Sequence, residues 1–209
     1  RIEEPIVKQK LLLVDGSSLA FRAFYSILDL NRFKNQNGLH TNALYSFHRM
    51  FKTILEQEQP THVLVAWDAG KTTFRTEMYA EYKGGRAKTP SEFKEQMPYF
   101  NVLLDAWGIP HYRLNQYEAD DIIVTLAHQA SKEGFEVVVL SGDKDLIQLA
   151  TPEITVKITT KGVSELVEYT PAFINEKYGL TPEQIIDMKG LMGDSSDNYP
   201  GVTKVGEKT

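Results

Sequence analysis

Four short apolar runs along the chain each lead into acid. LLLV precedes Asp15, HVLVAW precedes Asp68, IPHYRL comes just ahead of Glu118, Asp120 and Asp121, and EVVVL just ahead of Asp143 and Asp145. Between the first two runs the pattern turns helical. GSSLAFRAFYSIL reads as a helix opened by Gly16 and Ser17, and NRFKNQNGLHTN as a polar loop. In ALYSFHRMFKTILEQ the apolar residues Leu44, Phe47, Met50, Phe51, Ile54 and Leu55 follow helical spacing up to Pro60. Strands alternating with helices predict an α/β fold: a central, mostly parallel sheet flanked by helices and joined by right-handed crossovers.

Residues 70–108 are more polar and more basic than their surroundings and are interrupted by Gly84 and Gly85. Thr89, Pro90 and Glu92 carry a capping-box pattern, so two helices are predicted here, crossing above the sheet edge. Glu118 to Lys132 forms the next helix, closed by Gly134. Residues 154–169 predict a β-hairpin turning at Lys161-Gly162, followed by a helix over PAFINEKYG. Thr181, Pro182 and Gln184 cap a helix that delivers Asp194 and Asp197. The expected organisation is a catalytic core over 10–184, including the 70–108 segment, and a second region over 185–209.

Acids placed after successive strands of an open sheet converge, because the carboxyl ends of parallel strands share one edge. Close carboxylates repel and are partly neutralised unless a cation supplies positive charge. The candidate ligands Asp15, Asp68, Glu118, Asp120, Asp121, Asp143, Asp145, Asp194 and Asp197 are all hard oxygen donors, and these select Mg²⁺ or Mn²⁺ over zinc. Two such ions about 3.5–4 Å apart would activate water and stabilise a leaving oxygen in phosphodiester hydrolysis. Glu118 and Asp121, three apart, share a helical face from which Asp120 points away. The expected partition puts Asp15, Asp68, Glu118, Asp120 and Asp143 nearest one ion, and Asp145, Asp194 and Asp197 toward the second. Taken singly, an Asp after a strand is more often a helix cap, and DSSDN a turn. The joint occurrence carries the argument.

The net charge of −5 argues at face value against a nucleic-acid partner. Neutralising the nine candidate ligands moves it from −5 to +4, suiting a phosphate binder. With no cysteine, disulfides and thiolate metal sites are excluded. No apolar run is long enough to span a bilayer, there is no signal-like start, and RIEEPIVKQK reads as a lead-in, so a cytoplasmic address is expected. Arg75, Tyr79, Lys83 and Arg86, at helical spacing, predict one stripe of cations with an aromatic among them, able to hold phosphates and stack a base. GVTKVG, Gly201 to Gly206, has the pattern of a helix-hairpin-helix turn whose backbone N–H groups grip a DNA phosphate.

With these residues assembled, the chain resembles the 5′-nuclease (5′→3′ exonuclease) domain of bacterial DNA polymerase I, in the flap endonuclease superfamily. The match runs from LLLVDGSSLAFRAFY through VAWDAGKTTFR, EYKGGR, YEADD, SGDKDLIQL and GLMGDSSDNYPGV to GEKT. The resemblance implies a PIN-like nuclease fold with a helical arch, and a metal-dependent phosphodiesterase cutting 5′ flaps and 5′ ends of DNA, with RNA primers among its substrates. It implies replication and repair as the setting, the polymerase portion of the same polypeptide as a partner, and a bacterial, nucleoid-associated location. The nine carboxylates become metal ligands. Lys83 and Arg86 become arch cations at the scissile phosphate, acting in catalysis with Asp143, while Arg22 and Arg75 assist on neighbouring phosphates. Arg22, Arg75, Tyr79, Lys83, Arg86, Gly201, Val202 and Gly206 become DNA contacts, with K⁺ expected beside the hairpin turn. Thr203 and Lys204 stand where the family often has Pro-Gly, and the chain ends at Thr209, so a truncated hairpin region with weakened duplex binding is expected. Two rivals remain open: a PIN-type ribonuclease lacking arch and hairpin, and a DNA-structure-binding module without turnover.

Overall fold

A computed structural model of the chain describes residues 7–70, 72–160 and 165–209. The predicted turn at Lys161-Gly162 and most of the predicted lead-in lie outside these residues. Strands β1 (Lys10–Asp15), β2 (His62–Trp67), β3 (His111–Arg113), β4 (Glu136–Ser141), β5 (Ile154–Thr159) and β6 (Leu166–Tyr169) form one sheet in the order β3-β2-β1-β4-β5-β6. All neighbours pair in parallel except β6, which runs antiparallel to β5. Strands β7 (Gly193–Asp194) and β8 (Tyr199–Pro200) make a separate small ribbon.

The helices among the described residues are α1 (Gly16–Tyr25), α2 (Asn42–Glu58), α3 (Phe74–Met78), α4 (Ser91–Lys94), α5 (Met97–Ala106), α6 (Ala119–Lys132), α7 (Pro171–Tyr178) and α8 (Pro182–Met192). Alternation along β1 divides the core. Leu12 and Val14 face a cluster with Leu19 of α1, Phe47 and Phe51 of α2, Trp67, and Phe100 and Leu104 of α5. Leu13 faces the other cluster, with Ile123 of α6, Val137, Val139, Ile174 of α7 and Ile185 of α8. Each fully buried side chain of this size stabilises by about 1.5–3 kcal/mol, so both faces hold the sheet. Helix α2 ends where Gln59 turns left-handed, at φ 45°, and Pro60 prevents continuation.

Two expectations about residues 70–108 are corrected. Among the described residues no pair of helices crosses above the sheet edge: α3 stops after five residues, and α4 and α5 lie against the sheet face. Phe93, Phe100 and Leu104 are drawn into the core around Phe47 and Trp67, and buried Gln96 pins the start of α5 to α2. Its Nε2 donates to Asn42 Oδ1 at 2.8 Å and its Oε1 accepts from the Ala43 N–H at 2.9 Å. Thr89 caps nothing, since Pro90 is the cap residue, and the Glu92 carboxylate takes the Ser91 hydroxyl instead.

The expected 184/185 boundary lies within α8. That helix opens with the reciprocal Thr181 and Gln184 capping bonds and buries Ile185 in the core. The 185–209 region is therefore tied to the sheet through its first helix. No helix is long and apolar enough to cross a membrane among the described residues.

Candidate active site

β1 lies at the centre of the sheet, and the chain leaves it toward β2 on one side while β4 follows on the other. This reversal of strand order opens a crevice at the carboxyl ends, and the acids gather there. Asp15 closes β1 and caps α1, its Oδ1 accepting from Ser18 N at 3.1 Å and its Oδ2 from the Ser141 hydroxyl at 2.7 Å. Ser18 Oγ in turn accepts from Gly142 N at 2.9 Å, and Ser141 Oγ accepts from Asp143 N at 2.9 Å. A small serine lattice thus fixes the ends of β1 and β4. Asp68 is fixed similarly, its N–H donating to Ser17 Oγ at 2.9 Å and its Oδ1 accepting from Ala119 N at 2.8 Å.

Asp15, Asp68, Asp143 and Glu118 all lie close enough to Asp120 for their charge to act on it. Burial, then the charge of Asp68, pushes Asp15 up to about 6 against the hydrogen bonds from Ser141 and Ser18 that hold it down. Burial and the neighbouring Asp15, Asp143, Asp68 and Glu118 hold Asp120 well above the usual carboxylate range. Asp143 is raised by burial and by Asp145. Among the described residues Asp15, Asp68, Asp120 and Asp143 have no ion-pair partner, and they leave a pocket of negative charge.

The remaining acids carry protein counter-ions. Glu118 caps α6 and receives Arg75 Nη1 at 2.8 Å, the Tyr82 hydroxyl at 3.0 Å and the Lys83 ammonium. Asp121, expected as a ligand on the face of Glu118, is gripped by the Arg75 guanidinium at 2.8 and 2.7 Å and accepts from Glu118 N at 3.0 Å. Against the upward push of burial, that grip leaves it below its ordinary value. Farther along the crevice Asp145, Asp194 and Asp197 each place one oxygen within 4.8 Å of the others. Lys189 Nζ stands 2.7 Å from both Asp145 and Asp194. Burial pushes Asp194 up, but Lys189 and Ser196 overcome it and leave the carboxyl lowered to about 2.

The expected helical stripe of Arg75, Tyr79, Lys83 and Arg86 is not a stripe, since α3 ends at Met78 and Tyr79 is extended. The cations nevertheless reach the crevice, from a looped segment clasped to the 196–198 turn. Lys83 N donates to Asp197 O at 2.8 Å, Asn198 Nδ2 to Glu81 O at 2.9 Å, and Arg86 Nη2 to Asp197 Oδ1 at 2.7 Å. The Tyr79 hydroxyl turns to Glu81. Arg22 Nη2 donates to the Gly142 carbonyl at 2.9 Å, beside Asp143. A Cβ on Gly142 would meet Arg22 Nε at 2.3 Å.

Gly201 and Val202 return past the end of α8, where two backbones cross, and a Cβ on Gly201 would stand 2.2 Å from the Met192 carbonyl carbon. Val202 N donates to Leu191 O at 2.7 Å, while Lys204, at φ 68°, and Gly206 lie on exposed turns. Sequence reasoning missed Ser17, Ser18, Ser141, Tyr82 and Lys189. All five lie inside the motifs DGSS, SGDKD, EYKGGR and MKGLMGD, one to five residues from a candidate site residue.

The crevice holds about 480 Å³ between an aromatic and aliphatic wall (Phe74, Met78, Tyr82) and Ile185, Ile186 and Tyr199 opposite. Its donors suit hard divalent cations: all are carboxylates, three have raised proton affinity, and buried Asp145 Oδ1 has no hydrogen-bond donor. Lys189 meets that oxygen at ion-pair distance but off the angle of a hydrogen bond.

Comparison with known proteins matches residues 10–179 to the family described as 5′-3′ exonuclease, N-terminal resolvase-like domain, and residues 180–209 to 5′-3′ exonuclease, C-terminal SAM fold. The chain is similar to DNA polymerase I of Streptococcus pneumoniae, 62% identical over 203 residues, and of Bacillus subtilis, 63% identical over 202. In both, the alignment covers 97% of this chain and 23% of the relative, so the chain spans about a quarter of their length. Among solved structures it is similar to the bacteriophage T5 flap endonuclease in a pseudo-enzyme–product complex with DNA and metal ions. That likeness is 27% identical with a TM-score of 0.71, covering 96% of this chain and 72% of the other.

Proposed function

The chain belongs to the 5′-3′ exonuclease family, and from that premise we propose that it is a Mg²⁺-dependent 5′-nuclease of the DNA polymerase I type, cutting 5′ flaps and 5′ ends of DNA and of RNA primers on DNA. The observation that carries this reading is the facing of charges across one crevice. Carboxylates from the ends of three strands and the start of α6 line one side; Arg75 and Lys83 reach Glu118 at the start of α6, and Arg86 reaches Asp197 in the turn after α8.

Asp15, Asp68, Asp120 and Asp143, with Glu118, would hold one divalent ion, and Asp145, Asp194 and Asp197 a second. Ions there would lower the pKa of water and offset charge on a phosphodiester. The chain's own residues do the rest. Ser141 and Ser18 orient the Asp15 carboxylate and Ser141 holds the backbone of Asp143, whose own carboxylate accepts from Asp145 N, so both side chains are oriented by the fold. Lys83 and Arg86 bind carboxylates that ions would neutralise, which would free both cations to hold the scissile phosphate. Arg75, gripped by Asp121, stays as a fixed positive group beside them, and Arg22 holds the loop after β4 while facing neighbouring phosphates. The aromatic wall gives an unpaired base a stacking surface, and the turn from Gly201 to Gly206 offers backbone donors, with K⁺, to a phosphate of the duplex.

Incubating the chain with a 5′-labelled flap duplex, with Mg²⁺ or EDTA, tests the proposal. Flap cleavage in Mg²⁺ alone is expected. Cleavage restricted to single-stranded RNA would instead identify a ribonuclease, and binding without cleavage a recognition module. Asp143→Ala should abolish cleavage while leaving the circular dichroism spectrum intact; near-normal turnover would remove Asp143 from the site.

A further inference from the structure

Lys189 sits in the last turn of α8 with its ammonium 2.7 Å from Asp145 Oδ1 and 2.7 Å from Asp194 Oδ2. Those two carboxylates and Asp197 are the three whose oxygens lie within 4.8 Å of one another. A hard divalent ion binds carboxylate oxygen at about 2.0–2.1 Å, so an ion shared by Asp145 and Asp194 needs the gap this ammonium fills. Like charges at that range repel strongly.

The two contacts differ. Asp194 accepts from Lys189 as a hydrogen bond and is held further by Ser196 N at 2.8 Å and Ser196 Oγ at 2.6 Å. Asp145 meets the same ammonium at 2.7 Å but with poorer hydrogen-bond geometry, and no other donor reaches its buried Oδ1. The Lys189 side chain is 36% exposed, so it has a way out into the crevice. A cation also suits the carboxyl end of α8, so the displaced ammonium remains close by.

We propose that Lys189 is an internal counter-ion for the Asp145, Asp194 and Asp197 group: it neutralises the group when no metal is bound, and a divalent ion entering there must displace it. Lys189 is thus a positioning residue that weakens the second ion site relative to the first. The inference rests on the reading of this group as an ion site.

Mn²⁺ titrated into the DNA-free chain, with free Mn²⁺ followed by electron paramagnetic resonance, tests it. Lys189→Met keeps the length and removes the charge. It should tighten the weaker class of Mn²⁺ sites by at least about tenfold, while Lys189→Arg leaves that class weak. Metal-free Lys189→Met should also melt below wild type, with Mn²⁺ closing the gap. Should Lys189→Met fail to fold, amine acetylation of the wild-type chain read by mass spectrometry serves instead, with labelling of Lys189 rising several-fold when Mn²⁺ is added. Unchanged or weaker Mn²⁺ affinity in a folded Lys189→Met, or labelling indifferent to Mn²⁺, overturns the inference alone. If neither wild type nor variant binds Mn²⁺, the reading of the group as an ion site falls, and this inference with it.

Discussion

Asp15 closes a strand, caps a helix and lies near Asp68 and Asp120, and these tasks conflict. Capping favours the carboxylate, while burial and its neighbours favour the acid, and the acid gains, with the carboxyl raised to about 6. The folded chain therefore holds a proton between about pH 4 and pH 6 that the unfolded chain releases. Stability conferred by this group is complete at low pH and is lost as pH rises through 6. A shift of this size corresponds to about 3 kcal/mol. Urea unfolding in EDTA should show Asp15→Asn gaining about that much on wild type between pH 4 and pH 7, and a pH-independent difference would refute the conflict. Lys83→Ala tests the opposite side of the crevice. Cleavage should slow by about 10²-fold or more, as for loss of one charge-stabilising donor, with Mn²⁺ affinity retained; loss of Mn²⁺ binding would contradict the role given to Lys83.

At the scale of elements, two capping patterns that look equivalent in sequence have different fates. Thr181 and Gln184 exchange reciprocal bonds at the start of α8, whereas Thr89 and Glu92 do not, because Pro90 occupies the cap position and α4 is fixed by Phe93 in the core. Thr181→Ala should cost about 1 kcal/mol in thermal or chemical unfolding and Thr89→Ala close to none. The same contrast explains what was legible beforehand. Strand ends could be read because apolar runs stop at acids, and parallel order followed from the helices between them. The Arg75 to Arg86 stripe was misread because helical spacing was extended past Met78, where Tyr79 turns extended and the chain loops over Glu118. Lys189 was invisible for another reason. A lysine ending a helix is expected on dipole grounds alone, and its reach to Asp145 depends on how α8 packs against the turn after β4.

The whole molecule is two apolar layers on a sheet with a cluster of acids at the carboxyl ends of its strands, so ion binding and folding are coupled there. Divalent ions at about a hundred times their dissociation constant should add about 2.7 kcal/mol, raising the melting temperature by roughly 5–10 °C. EDTA should reverse the rise, and a melting temperature indifferent to Mg²⁺ concentration would argue against any ion site. The central place of β1 has a consequence for biosynthesis. Lys10 pairs with Glu136 as well as lying in the strand beside β2, so a ribosome adding about 5–20 residues per second needs roughly 6–25 s between making the middle strand and making its second neighbour. During that interval an apolar ribbon has one flank without a partner. Chaperone occupancy on nascent chains should accordingly be highest before β4 emerges and drop once Ser141 has cleared the exit tunnel.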